Sequence, residues 1–256
     1  MAYNPAGLTG KYDYDMLISH TKWFAGISGK FMGIAYNSGI GFLGLSMISL
    51  GTDDMEITTP EHFSGTGEYF RSSEYAFGLT YANNFTDKLS LGATFKVIKS
   101  FLMNDNLSSS GLVFDIGTIY NISENYSFGI ALKNLGPDIK YINESYSLPA
   151  SLSAGISGTN YFFTDHNILW AFQGLRYSDS DEKYSVGIEY GYKNTFFIRT
   201  GFQFEIGEEY GNTTEIFSGG IGFNYSVSGI LCKLDYSYSN YKWLPAVHRL
   251  SIQIGL

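Results

Sequence analysis

The sequence predicts an all-β protein, a transmembrane antiparallel β-barrel of about fourteen strands, and three observations predict it. Apolar and polar residues alternate with a period of two from Tyr75 to the last residue. Charged residues make up 16% of the chain, against roughly 25% in an ordinary soluble domain, and aromatic residues make up 17%. Something other than charge must therefore solvate the surface. The connections between alternating segments are long and short in turn. Length is less selective, since 256 residues suit one large all-β domain or two smaller ones. We read residues 1–256 as a single domain.

Composition narrows the classes further. Thirty glycines and five prolines count against long helices, because glycine costs about 1 kcal/mol relative to alanine in a helix interior. A net charge of -8 leaves no basic stripe to neutralise phosphates, which sets aside a nucleic-acid partner. The single cysteine, Cys232, excludes an internal disulfide framework and a cysteine-rich zinc site, and reads as an unpaired residue on an apolar face. Residues 31–52 carry no charge and are long enough to cross a bilayer as a helix. Asn37, Ser38 and Gly39 place a turn at their centre, however, and Gly33, Gly41 and Gly44 add to the cost of a helix, so two strands and a hairpin are expected. Residues 1–10, MAYNPAGLTG, lack the basic start and apolar run of a secretory signal, so export would require residues upstream of them.

Taken in order, the predicted strands lie near residues 13–20, 30–37, 41–51, 73–83, 88–101, 110–121, 126–134, 149–157, 167–177, 183–193, 196–206, 215–226, 229–239 and 248–256. One face of each is large and apolar. It reads Tyr75, Phe77, Leu79, Tyr81 in the fourth; Leu89, Leu91, Ala93, Phe95, Val97 in the fifth; Leu112, Phe114, Ile116 in the sixth; and Tyr126, Phe128, Ile130, Leu132 in the seventh. Tyr184, Val186, Ile188, Tyr190, Tyr192 and then Phe196, Ile198, Phe202, Phe204, Ile206 repeat the pattern. The opposite face is small, with Gly78, Gly92, Gly117, Gly129, Gly155, Gly187, Gly201, Gly222 and Gly255 among serines, threonines and scattered charges. Small residues suit the concave side of a closed barrel and large ones the convex side, so the apolar face is expected against lipid. Tyr81, Tyr120, Tyr126, Tyr192 and Tyr225, near strand ends, would form interfacial girdles. The last segment alternates Leu250, Ile252, Ile254, Leu256 with Arg249, Ser251, Gln253, Gly255, which fits a barrel closed by its final strand.

Long connections at 52–72, 135–148 and 240–247 are expected outside the cell. Short ones at 37–39, 84–87, 123–125, 193–194 and 226–229 are expected in the periplasm, which puts both termini there.

Asn4-Pro5-Ala6-Gly7-Leu8 resembles the NPA segment of FadL-type outer-membrane proteins, which belongs to the plug region at the start of that barrel. GTGEYF at 65–70, Tyr81-Ala82, LSLGATFK at 89–96, Asp115-Ile116-Gly117, Asn134-Leu135-Gly136-Pro137 and Leu148-Pro149 follow in an order that resembles the PorV/PorQ branch of the FadL-like barrels. The resemblance implies a FadL-like barrel of the bacterial outer membrane, with residues 1–11 the remnant of an N-terminal plug and 12–256 the barrel. Some members of that branch act with the type IX secretion machinery of Bacteroidetes-like bacteria. The function it implies is a non-enzymatic accessory or interaction barrel for secretion. The alternative is a FadL-like channel for uptake of hydrophobic small molecules. The partners implied are outer-membrane lipid, together with secretion-system proteins or a hydrophobic ligand.

Asn4, Pro5, Ala6 and Gly7 are the candidate plug or gate, against the plainer reading of a turn entering the first strand. Lys96, Asp115, Lys133, Glu189, Arg199, Glu205, Lys233, Asp235 and Arg249 fall on the inward face with both signs interspersed. Unpaired buried charge is costly, so these are expected to form networks crossing the pore rather than to stand as solvated wall residues. His62, Phe63, Tyr69 and Phe70 mark an outer loop that could contact a ligand or a protein. Asp53, Asp54, Glu56, Asp179, Asp181, Glu182, Glu208 and Glu209 read as a solvated acidic outer surface. No GxSxG, HExxH or P-loop occurs, and His20, His62, His166 and His248 fall at strand ends or in loops, so no metal or cofactor is implied. Catalysis would have to draw on loop residues such as Asp53, Asp54 and His62.

Overall fold

The computed structural model describes residues 1–10, 12–102, 107–141, 144–206 and 216–256. A 3-10 helix at Pro5–Leu8 is followed by β1 (Tyr14–Lys22), β2 (Ser28–Asn37), β3 (Phe42–Gly51), β4 (Met55–Glu56), β5 (Tyr69–Phe70), β6 (Ser73–Asn84), β7 (Leu89–Leu102), β8 (Leu107–Asn121) and β9 (Tyr126–Leu135). Then come β10 (Ile139–Tyr141), β11 (Glu144–Tyr146), β12 (Ser151–Phe162), β13 (His166–Tyr177), β14 (Glu182–Tyr192), β15 (Phe196–Ile206), β16 (Ile216–Val227), β17 (Ile230–Tyr241) and β18 (Leu244–Gly255). Fourteen of these close a barrel in the ring order β1-β2-β3-β6-β7-β8-β9-β12-β13-β14-β15-β16-β17-β18. The last strand closes on the first, with Asp15 opposite Gly255 and Lys22 opposite His248. The remaining four pair as two short ribbons in the long connections, β4 with β5 and β10 with β11.

The two faces separate as the alternation predicts. Ile198 is 63% exposed and Leu45 62%, whereas Thr80, Ala82 and Val113 on the other face are fully buried. Large apolar side chains thus point away from the protein and small ones into it, the reverse of a soluble domain. At roughly 25 cal/mol per Å² of apolar surface, such a belt is stable only in apolar surroundings. Among the described residues no helix is long and apolar enough to cross a membrane, and residues 31–52 form the β2–β3 hairpin.

The chain enters β1 and leaves β18 at one end of the barrel, which also carries most of the tight turns. Lys193 and Asn194 at φ 54° and 52° turn β14 into β15, and Ser228 with Gly229 at 51° and 86° turns β16 into β17. Two consecutive positive φ angles give the turn whose twist matches that of the flanking strands. Tyr81, Tyr120, Tyr126, Tyr192 and Tyr225 all lie at this end, where the Tyr81 hydroxyl donates to the Ile40 carbonyl at 2.8 Å. The opposite end carries the long connections and its own aromatic pairs, Tyr75 with Phe101 and Tyr184 with Phe204.

One expected long connection is instead a tight turn. The sequence predicts a long loop at 240–247, yet β17 runs to Tyr241 and β18 begins at Leu244. The register shifts between Ser239 and Tyr241, opposite Pro245. This irregularity lets a proline, which has no N–H to give the ladder, enter the strand near its start. Of the acidic loop residues, Glu208 and Glu209 lie outside the described residues.

Candidate functional site

The start of the chain is seated inside the lumen on a shelf of mostly small residues. Asn4 caps the short helix: its Oδ1 accepts the Ala6 N–H at 2.9 Å. Its Nδ2 donates to the carbonyls of Thr118 at 3.0 Å and Ile130 at 3.2 Å, partners across β8 and β9. Pro5 suits the first helical position because its missing N–H would have no partner there anyway. Phe42, Ala82, Gly92, Gly117 and Ala131 are successive partners across β3, β6, β7, β8 and β9, and this row is the shelf. A Cβ on Gly92 would lie 2.5 Å from the Ala6 nitrogen, one on Gly117 would strike Asn4, and one on Gly44 would come within 2.9 Å of Leu8. Leu8 packs against Ala35, Phe42 and Ala82.

From the shelf the chain crosses the lumen. Lys133 on β9 donates to the Ala2 carbonyl at 3.2 Å. Arg249 on β18 donates to the Tyr3 hydroxyl at 3.3 Å and to Thr21 Oγ1 at 3.0 Å. β9 and β18 stand seven places apart in the ring of fourteen, so residues 2 and 3 are held from opposite walls.

Beside this crossing lies a cavity of about 510 Å³ that runs from Tyr12, near the tight-turn end, to Trp23, near the long-loop end. Leu8, Leu17, Phe31, Ala35, Phe42 and Leu50 make it largely apolar. Its polar lining at the β1–β18 seam is already satisfied: Gln253 donates to Asp15 at 2.6 Å, Ser251 to Ser19 at 2.9 Å, and Arg249 to Thr21. A second, polar chamber of about 610 Å³ adjoins it, sharing Leu17, Arg249, Ser251 and Gln253 and lined further by Arg199, Lys233 and Asp235.

The inward charges pair along the wall and not across the pore. Lys96 and Asp115 form an ion pair at 2.8 Å. Asn134 joins it, accepting from Lys96 at 2.6 Å and donating its N–H to Asp115 at 2.8 Å. This network sits where the β8–β9 register shifts, with Asn134 in the left-handed region at φ 58°. Lys183 pairs with Glu205 at 2.8 Å on the adjacent strand. Arg199 binds Glu189 on β14 and Asp235 on β17, and its guanidinium passes over Gly222 of the intervening β16. No described pair joins strands more than two apart in the ring, because a lumen this wide exceeds the reach of two facing side chains. Lys233 faces the polar chamber.

The outer-loop residues form a separate structure. Tyr69 and Phe70 are β5, paired with Met55 and Glu56, and Phe63 is almost fully exposed near the loop tip. The His62 N–H donates to Thr59 Oγ1 at 3.1 Å, and among the described residues no carboxylate pairs with His62. None of these four lines either chamber. Sequence reasoning placed Gly92 and Gly117 on the small face with seven other glycines and had no ground to single them out. It also missed Leu17 and Phe31, which break the large-outside pattern by pointing inward.

No family model matches the chain, and none of the curated proteins is similar to it in sequence. Solved structures are similar in fold. The CymD monoaromatic hydrocarbon channel superposes with a TM-score of 0.68 at 14% identity, over 99% of this chain and 90% of that one. The toluene transporter TbuX of Ralstonia pickettii gives 0.64 at 15% identity, over 99% and 91%. The toluene transporter TodX of Pseudomonas putida gives 0.64 at 10% identity, over 99% and 91%. At these identities the likeness is one of fold, a closed antiparallel barrel, which in this chain has fourteen strands.

Proposed function

We propose that the protein is an outer-membrane channel that admits small hydrophobic solutes and has no catalytic role. The observation that carries this reading is the apolar cavity running along β1 to β3 beside the seated segment. Its polar seam is hydrogen-bonded within the wall, so an apolar solute can lie against it without stranding a donor or acceptor. The segment held by Lys133 and Arg249 obstructs the straight path that water and ions would take. The fold likeness to hydrocarbon channels supports the same solute class. The accessory-barrel reading, of the PorV/PorQ and type IX kind, draws on the short motifs and on the exposed outer-loop Phe63 alone.

The test is titration of a toluene-sized aromatic into the barrel refolded in detergent, with planar-bilayer conductance measured alongside. Saturable binding is expected, with low conductance. Leu17→Arg, which puts a charge into the cavity, should weaken binding at least about tenfold while leaving the barrel folded. Large, steady, porin-like conductance with no saturable apolar binding would overturn the reading.

A further inference from the structure

We propose that the outer wall of β18, β1 and β2, at the long-loop end, binds the phosphate groups of a phosphorylated glycolipid in the surrounding leaflet. This rests on the outer-membrane reading above. Four groups able to carry positive charge share this sector of the outward face: His248 on β18, His20 and Lys22 on β1, and Lys30 on β2. The register brings them together, since Lys22 stands opposite His248 and His20 opposite Lys30. Directly opposed residues lie about 5 Å apart and alternate residues about 7 Å apart along a strand, so the four fall within roughly 12 Å.

Position and charge point to one class of occupant. Below the patch the same strands carry Ile18, Met32, Ile34, Leu250 and Ile252, all exposed, so the basic groups sit at the upper edge of the apolar belt, where headgroups begin. All four are exposed, and among the described residues neither lysine is paired with a carboxylate. No aspartate or glutamate occupies an outward position on β17, β18, β1, β2 or β3. Across the barrel another outward cation, Arg176, is neutralised by Glu182 at 3.2 Å, and among the described residues Lys99 on β7 stands alone, so the β18–β2 sector differs in gathering four such groups in one place. In a chain of net charge -8, a patch of uncompensated lysines runs against the average and suits anionic headgroups. The Tyr236 hydroxyl lies 2.8 Å from His248 Nδ1, and the Tyr238 ring packs against the imidazole at 5.5 Å. With Tyr236 donating, Nε2 carries the proton and faces outward as a further donor.

The test uses the full chain refolded in detergent. Binding of bisphosphorylated lipid A is compared with that of dephosphorylated lipid A and of inorganic phosphate, with heat-dependent gel mobility reporting the folded barrel. Wild type should prefer the phosphorylated lipid. The double variant Lys22→Gln/Lys30→Gln should bind it about 25-fold more weakly, at about fivefold per lysine. Lys88→Gln/Lys193→Gln, at the tight-turn end, should leave it unchanged. Equal binding of the two lipids, an equal loss in the control pair, or inorganic phosphate competing at the lipid's own affinity would overturn the proposal. Failure of the wild-type chain to insert into vesicles would overturn the outer-membrane reading as well, which separates the two.

Discussion

The two halves of the barrel wall use the same inward pattern of small and charged residues in different ways. From β6 to β9 the seated segment covers the wall, and the Lys96 and Asp115 side chains are only 13% and 4% exposed. From β14 to β17 none of the described residues covers it, and Arg199 and Asp235 are 38% and 30% exposed beside the polar chamber. The glycines divide likewise. Gly92 and Gly117 have the backbone and side chain of residues 4–6 where a Cβ would go, whereas a Cβ on Gly187 would meet only the Thr200 carbonyl oxygen, at 3.6 Å. Gly92 and Gly117 are therefore a seat in one half, whereas Gly187 is open wall and Gly222 a passage for Arg199 in the other, and an ion pair is a buried lock in one half and a solvated tie in the other.

The largest expected effect tests the ion pairs. Asp115→Ala removes the carboxylate that Lys96 and the Asn134 N–H share, and should cost about 3 to 5 kcal/mol, the usual penalty for stranding a buried charge. Asp235→Ala leaves Arg199 with Glu189 in a wetter place and should cost about 1 kcal/mol or less. Urea titration of the barrel in lipid measures both, and equal costs would erase the distinction between the halves.

A smaller effect is expected at the glycines. Gly92→Val collides with the Pro5–Ala6 backbone and should cost about 1 to 3 kcal/mol, or else expel the segment and expose it to protease. Gly187→Val should be close to neutral on both readouts, and protease sensitivity in both variants alike would show that the segment is not held by the shelf. The smallest effect sharpens the same point. Asn4→Ala loses the cap and two donations to strand carbonyls, and should loosen the segment by about 1 to 2 kcal/mol without altering the barrel's own unfolding. Proteolysis rates at residues 1–8 report it, and an unchanged rate would mean that Leu8 packing alone retains the segment.

Strand number, the lipid and lumen faces, the end where the chain enters and leaves the barrel and most turns could be read from the chain because each depends on a few neighbouring residues. Period-two alternation assigns Ile188 and Ile198 to the outside whatever their neighbours in space, and Lys193-Asn194 forms its turn from local backbone preference. The turn at 242–243 escaped because Pro245 signals a loop locally, and only the register shift against β17 shows how the strand admits it.

Tertiary structure alone decided which small residues share a row and which charges meet. Phe42, Ala82, Gly92, Gly117 and Ala131 are scattered over about ninety positions of sequence and become a shelf through four successive registers. Arg199 reaches Asp235 only because β16 offers Gly222 between them. A slip of one residue at any of those pairings would exchange the faces of a strand, so the site depends on the accumulated stagger of the closed sheet, which no local stretch of sequence contains.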